Sequence, residues 1–188
     1  MNTKFKNRLQ RTVLLTVIGL SVGIAIGWLQ IRMQDAPQNS VTVAGIQVGG
    51  PFTLSDHNGN IITDQDFAGK YQLIYFGFTY CPAICPTELQ KISKTLNTLG
   101  TVGEKITPLF ITIDPARDTP AVMKPYVAQF HPRLIGLSGT QEQIDAVLKS
   151  YKIYAAKVKT QEMSDYTMDH SSFIYFIGPD GGLLALYR

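Results

Sequence analysis

The longest apolar stretch comes first. Residues 12–31, TVLLTVIGLSVGIAIGWLQI, contain no charged side chain, and about 20 mostly apolar residues suffice to cross a bilayer core as helix. The run predicts one transmembrane anchor. Lys4, Lys6, Arg8 and Arg11 precede it, and only Arg32 and then Asp35 follow closely. The positive-inside bias therefore assigns 1–11 to a cytoplasmic tail and the rest of the chain to the outside. A cleaved signal peptide begins in the same way, but its apolar core is typically about 7–15 residues and ends at a small-x-small site, which is missing here. Residues 32–50 are polar and glycine-containing and read as a tether. A single domain over 51–188 remains.

Within that domain, residues 51–54 and 61–62 flank Asn58-Gly59, a hairpin signal. Residues 71–78 (YQLIYFGF) and 107–113 (TPLFITI) are continuous apolar runs, the pattern of central strands buried on both faces. After Pro86 the spacing of Leu89, Ile92, Leu96 and Leu99 predicts a helix with Gly100 as its C-terminal stop. Thr119-Pro120 opens a second helix over 120–130, in which Pro125 should kink or restart the turn. Thr140 with Gln143 forms a capping box ahead of Ile144, Val147 and Leu148. Short strands are predicted at 134–137, 154–158, 173–177 and 183–187, the last two joined by a turn at Pro179-Asp180-Gly181. Strands alternating with helices and ending in a hairpin imply an α/β sandwich with a mixed sheet.

At 188 residues the chain has room for one such domain after its anchor. Its net charge of +3 would point to an acidic partner were it spread over the domain. Five of the 17 basic residues flank the apolar run, however, which leaves 12 against 14 acidic ones. Nucleic-acid binding loses its support. The short N-terminus, without an Arg- and Ser-rich presequence, favours a bacterial cytoplasmic membrane with the domain in the periplasm over a mitochondrial inner membrane.

Both cysteines of the chain, Cys81 and Cys85, fall in one string, CPAICP, between a strand and a helix. If the helix begins near Cys85, side chains four apart share a face, and a Cα separation of about 6 Å lies inside the disulfide window. The helix N-terminus favours thiolate. In an exported compartment such a pair is a staple, a redox couple or a metal clamp. A staple this short removes little chain entropy, and structural zinc normally takes four protein ligands. Soft thiolates with one imidazole suit copper. Of the three histidines, His57 lies in a turn and His131 follows a helix whose dipole it would meet. His170, on a loop leading into a buried strand beside Asp169, is the best-placed third ligand. Met163 and Met168 are soft donors too, although core packing is the ordinary role of methionine.

Three blocks, GKYQLIYFGFTYCPAICP, DPARDTP and YTMDHSSFIYFIGPDG, occur in this order and together resemble the Sco/SenC family of copper proteins that assemble cytochrome c oxidase. The resemblance covers the chain from about Pro51 onward. It implies a thioredoxin-like three-layer α/β/α fold with a mixed sheet, preceded by one transmembrane helix, and a mononuclear copper site of Cys81, Cys85 and His170, in either Cu(I) or Cu(II) form. The implied partner is the copper A centre of oxidase subunit II or another copper protein. Asp169 would orient the site or meet the partner, while Asp114, Arg117 and Asp118 read as structural. Family members usually continue into a closing helix after the terminal hairpin, whereas this sequence stops at Arg188.

Two functions fit these residues. A copper metallochaperone needs His170, whereas a thiol-disulfide oxidoreductase needs only the redox pair Cys81 and Cys85. Peroxidase chemistry of the peroxiredoxin kind calls for Thr or Ser three residues before the reactive cysteine, and that position is Phe78, with Thr79 one residue too close.

Overall fold

The computed structural model describes residues 20, 21, 23, 41–43, 46–159 and 165–188. Two units divide the chain, Met1–Pro37 and Gln38–Arg188. In the first, Leu20, Ser21 and Gly23 are helical; the remainder of the predicted anchor and the basic tail lie outside the described residues. Among the described residues, no helix is long and apolar enough to cross a membrane.

The second unit runs β1 (Val41–Val43), β2 (Ile46–Val48), β3 (Thr53–Asp56), β4 (Ile61–Thr63), β5 (Tyr71–Gly77), α1 (Ile84–Leu99) and β6 (Ile106–Thr112). It continues through α2 (Pro120–Val127), β7 (Ile135–Ser138), α3 (Gln141–Ser150), β8 (Ala155–Val158), β9 (Thr167–His170), β10 (Ile174–Ile177) and β11 (Leu183–Tyr187). Seven strands form one sheet in the order β11-β10-β5-β6-β7-β3-β4. Its centre, β5, β6 and β7, is parallel, while β10 and β3 flank it antiparallel. Six of the seven β5 residues are buried, as a strand covered on both faces requires.

Neighbouring side chains on β5 show what covers each face, because they point in opposite directions. Tyr75 stacks on Phe110, which meets Tyr126 of α2, and its hydroxyl reaches Cys85 of α1. Phe76 instead packs on Tyr151, which follows α3, and on Tyr175. With α1 and α2 on one face and the end of α3 on the other, the layers are those of the mixed-sheet thioredoxin-like fold.

The structure departs from expectation at several places. Inside the stretch read as tether, β1 and β2 pair antiparallel. Leu99 is 39% exposed, since the last turn of α1 overhangs the sheet and Leu99 lines an open groove with Ile92, Phe176 and Tyr187. α2 continues through Pro125 without restarting and ends two residues later, at Val127. The segment 154–158 does form a strand, yet β8 and β9 make a separate two-stranded ribbon outside the main sheet. The capping box forms as predicted, with Gln143 N–H donating to Thr140 and the Gln143 side chain accepting from Thr140 N–H.

Candidate metal centre

Strand β5 delivers the chain to the sulfurs. Beyond Gly77 it turns, Cys81 N–H donating to the Phe78 carbonyl, and α1 starts at Ile84. Ala83, at the N-cap, has no side-chain acceptor for the first free N–H groups. The Cys81 sulfur takes that place, accepting from Cys85 N–H at 3.3 Å. A helix N-terminus supplies unpaired donors and partial positive charge, both of which stabilise a thiolate.

Both cysteines are free thiols and both are buried, but they are not equivalent. A hydrogen bond from the Cys85 thiol, opposed by burial and assisted by His170 and the Cys85 and Ala83 N–H groups, brings the Cys81 pKa down to about 4. Cys85 moves far up, because its thiol proton is hydrogen-bonded to the Cys81 sulfur and its site is dry. The helix end thus favours thiolate at Cys81, while the neighbouring sulfur and burial favour the protonated form of Cys85.

His170 approaches from the other side. It ends β9, paired in register with Ala155, rather than lying on a loop. Its Nε2 stands 3.7 Å from Cys85 Sγ, and its Nδ1 is 3.0 Å from the Ser171 carbonyl. A carbonyl only accepts, so that contact holds a proton on Nδ1 and aims Nε2 at the sulfurs. The edges of Phe78 and Tyr75 fix the plane of the imidazole, in T-shaped contacts at 6.0 and 6.3 Å.

The other candidates stand elsewhere. His57 is half-buried and accepts Gly136 N–H of β7 at 3.2 Å, so it is a structural acceptor and not a free turn residue. His131 Nδ1 accepts Arg133 N–H at 3.2 Å; burial and then the Arg133 charge lower its pKa, which argues against a charged helix-dipole partner. Asp169 is exposed and, by alternation along β9, points away from the face bearing His170. Met168 packs against the core, and Met163 lies outside the described residues.

Residues beyond the motif shape the pocket. Gly77 presents its bare face to the site, where a Cβ would come within 2.8 Å of Cys85 Sγ. The Tyr75 hydroxyl donates to that sulfur from below at 3.8 Å. Asp118 is fully buried and accepts from Thr79 N–H and Oγ1 and from Thr112 Oγ1, at 3.1, 2.5 and 2.6 Å. Burial pushes its pKa up in spite of these bonds. Asp118 thereby clamps the turn before Cys81 onto β6, and the Thr79 hydroxyl is committed to it. Gly77 and Tyr75 were visible only as members of an apolar strand; nothing in the spacing marks their contact with a sulfur 8 or 10 positions on.

Among the described residues, no group of three or more His, Cys, Asp or Glu side chains stands preassembled around a metal position. The fit therefore rests on donor chemistry and on one spacing. Nitrogen and sulfur donors lie about 2.0–2.3 Å from a first-row ion such as zinc, so two that share it at a trigonal or tetrahedral angle stand roughly 3.6–3.8 Å apart. The 3.7 Å between Cys85 Sγ and His170 Nε2 meets that requirement. Two soft sulfur donors with an imidazole whose Nε2 faces them make a donor set that suits copper.

The chain matches the SCO1/SenC family over residues 41–188. It is similar to a mouse protein, the mitochondrial SCO1 homolog, with 48% identity over 142 residues covering 74% of this chain and 50% of that one. The chain spans about half the length of the curated relatives it matches. Bradyrhizobium japonicum ScoI, whose structure has copper bound, is 47% identical with a TM-score of 0.71, over 75% of this chain and 89% of that one. BsSco, described as having a disulfide switch and as a member of the Sco family of cytochrome c oxidase assembly proteins, is 28% identical. Its TM-score is 0.57, over 74% of this chain and 82% of BsSco.

Proposed function

The chain belongs to the SCO1/SenC family, and on that premise we propose that it is a copper metallochaperone whose donors are Cys81, Cys85 and His170. Its cargo would go to the copper A centre of cytochrome c oxidase subunit II while the oxidase is assembled, with residues 12–31 anchoring the domain on the periplasmic side of a bacterial cytoplasmic membrane. The observation that carries this is the approach of His170 Nε2 to Cys85 Sγ across 85 positions of sequence. The imidazole is itself only half-buried, so an acceptor protein can reach the His170 side while the sulfurs stay in the core. Cys81 offers a thiolate at neutral pH, and Cys85 loses its proton when the cargo arrives. Copper titration of the full chain tests this directly. One equivalent should bind with sulfur-to-copper charge-transfer absorption, and prior oxidation of the dithiol should abolish it; binding that survives oxidation would remove the sulfurs from the site.

The unequal cysteines support a second reading, a thiol-disulfide oxidoreductase. The Cys81 thiolate attacks a partner disulfide, so that one S–S bond breaks as a mixed disulfide forms and the departing sulfur takes up a proton. Cys85, once deprotonated, then attacks Cys81 Sγ and releases the second partner thiol. The partner is reduced and a Cys81–Cys85 disulfide is left, to be restored by an external dithiol. Trapping of a mixed disulfide through Cys81 in the Cys85→Ser chain is the expected result, and trapping through neither cysteine would end this reading.

A further inference from the structure

We infer that Arg117 is a positioning residue for His170: it latches the β8–β9 ribbon onto the Cys81 turn. The ribbon needs an attachment, because it shares no strand pairing with the seven-stranded sheet. Arg117 spans the gap from the loop after β6. On its own loop Nε pairs with Asp114. Toward the ribbon Nη1 donates to the Tyr166 carbonyl at 2.8 Å and pairs with Asp165 at 3.3 Å. Its guanidinium carbon lies 3.7 Å from the centre of the Tyr166 ring and 4.8 Å from that of Tyr80, the residue before Cys81. The Tyr166 hydroxyl donates to Asp114 at 2.8 Å and closes the ring of contacts.

An Arg–Asp pair three residues apart is ordinary and local. What sets Arg117 apart is its grip on a backbone carbonyl 49 positions away, at the start of the strand that ends in His170. Nη2 is buried without an acceptor, so Nε, Nη1 and the two aromatic faces carry the attachment. A planar guanidinium can meet two rings and donate in its plane at the same time; an ammonium cannot. Lysine should therefore fail as a substitute although it keeps the charge.

The contact stands independently of copper, while its consequence for the metal rests on the ligand role proposed for His170. Amide hydrogen exchange of the metal-free full chain tests the contact. In Arg117→Gln, exchange at Met168 to Ser171 should quicken by about tenfold or more while β5 and β6 keep parental protection, as expected when one local cooperative unit loosens. Arg117→Lys should behave like Arg117→Gln. Parental exchange in the ribbon, uniform acceleration that includes β5 and β6, or full rescue by lysine would each overturn the inference. Copper affinity tests the consequence: Arg117→Gln should lose about tenfold in the parent and nothing on top of His170→Ala, the non-additivity of coupled residues. An equal loss in both backgrounds would overturn it. If His170→Ala alone left affinity intact, the ligand assignment would fall while the exchange data still judged the latch.

Discussion

The two walls of the candidate site are built differently. Cys81 and Cys85 sit where a central parallel strand enters the longest helix, both sulfurs are buried, and Asp118, Gly77 and Tyr75 fix their surroundings from within the core. His170 ends a two-stranded ribbon outside that sheet, half-buried and held by aromatic edges and by the contacts of its neighbours to Arg117. One wall is positioned by folding itself, and the other by a small number of side-chain contacts. In the metallochaperone proposed above this division is useful: the sulfurs can keep their place while the imidazole exchanges.

The largest effect should come from separating the walls chemically. His170→Ala should weaken copper binding by more than about 100-fold, beyond the 10–100-fold typical of losing a merely supporting contact, while the dithiol remains oxidisable by a disulfide. Cys81→Ser should abolish both, as read by competition with a chelator and by thiol titration. Parental copper affinity without His170 would erase the distinction drawn between the walls.

Next in size are the supports of the cysteine wall. Asp118→Ala leaves Thr79 N–H and two hydroxyls without their buried acceptor and should cost about 3 kcal/mol in urea unfolding, given about 1–3 kcal/mol for each donor or acceptor so stranded. Gly77→Ala presses a methyl against Cys85 Sγ and Phe110, and overpacking of this kind costs about 1–3 kcal/mol. It should also shift the charge-transfer band, because the sulfur must move. Neither change should quicken amide exchange in the β8–β9 ribbon ahead of the core.

The last difference between the walls is a dependence on pH confined to the cysteine side. The Cys81 pKa is lowered to about 4 in the folded state, against about 8.5 for an unfolded cysteine. Its contribution to stability is thus fully present above the unfolded value, falls as pH drops, and is lost as pH passes down through the folded value. In step with this, alkylation of Cys81 should change little between pH 6 and 8 beyond its steric limit and decline toward pH 4, while Cys85 stays unreactive. Alkylation that rises steeply around pH 8.5 would show an ordinary thiol.

Sequence patterns gave the strands, the helices and the motif at their junction, since those follow from periodicity and from turn chemistry over a few residues. β5, β6 and α1 lie where the apolar runs put them, and the capping box at Thr140 forms as its spacing requires. His170 comes within 3.7 Å of Cys85 Sγ, but from a strand and not from the expected loop, because a four-residue strand with half-exposed faces has no strong period. Asp118 and Arg117 were visible as part of a block and not as a clamp and a latch.

What local chemistry dictates is therefore legible along the chain: a helix end that favours a thiolate, two cysteines one turn apart, a buried central strand. What clamps the cysteine turn, where the imidazole arrives and what holds its ribbon depend on contacts between residues 39 to 85 positions apart. Such contacts exist only once the sheet has been assembled, because strands and loops far apart in sequence must be brought side by side before these side chains can meet.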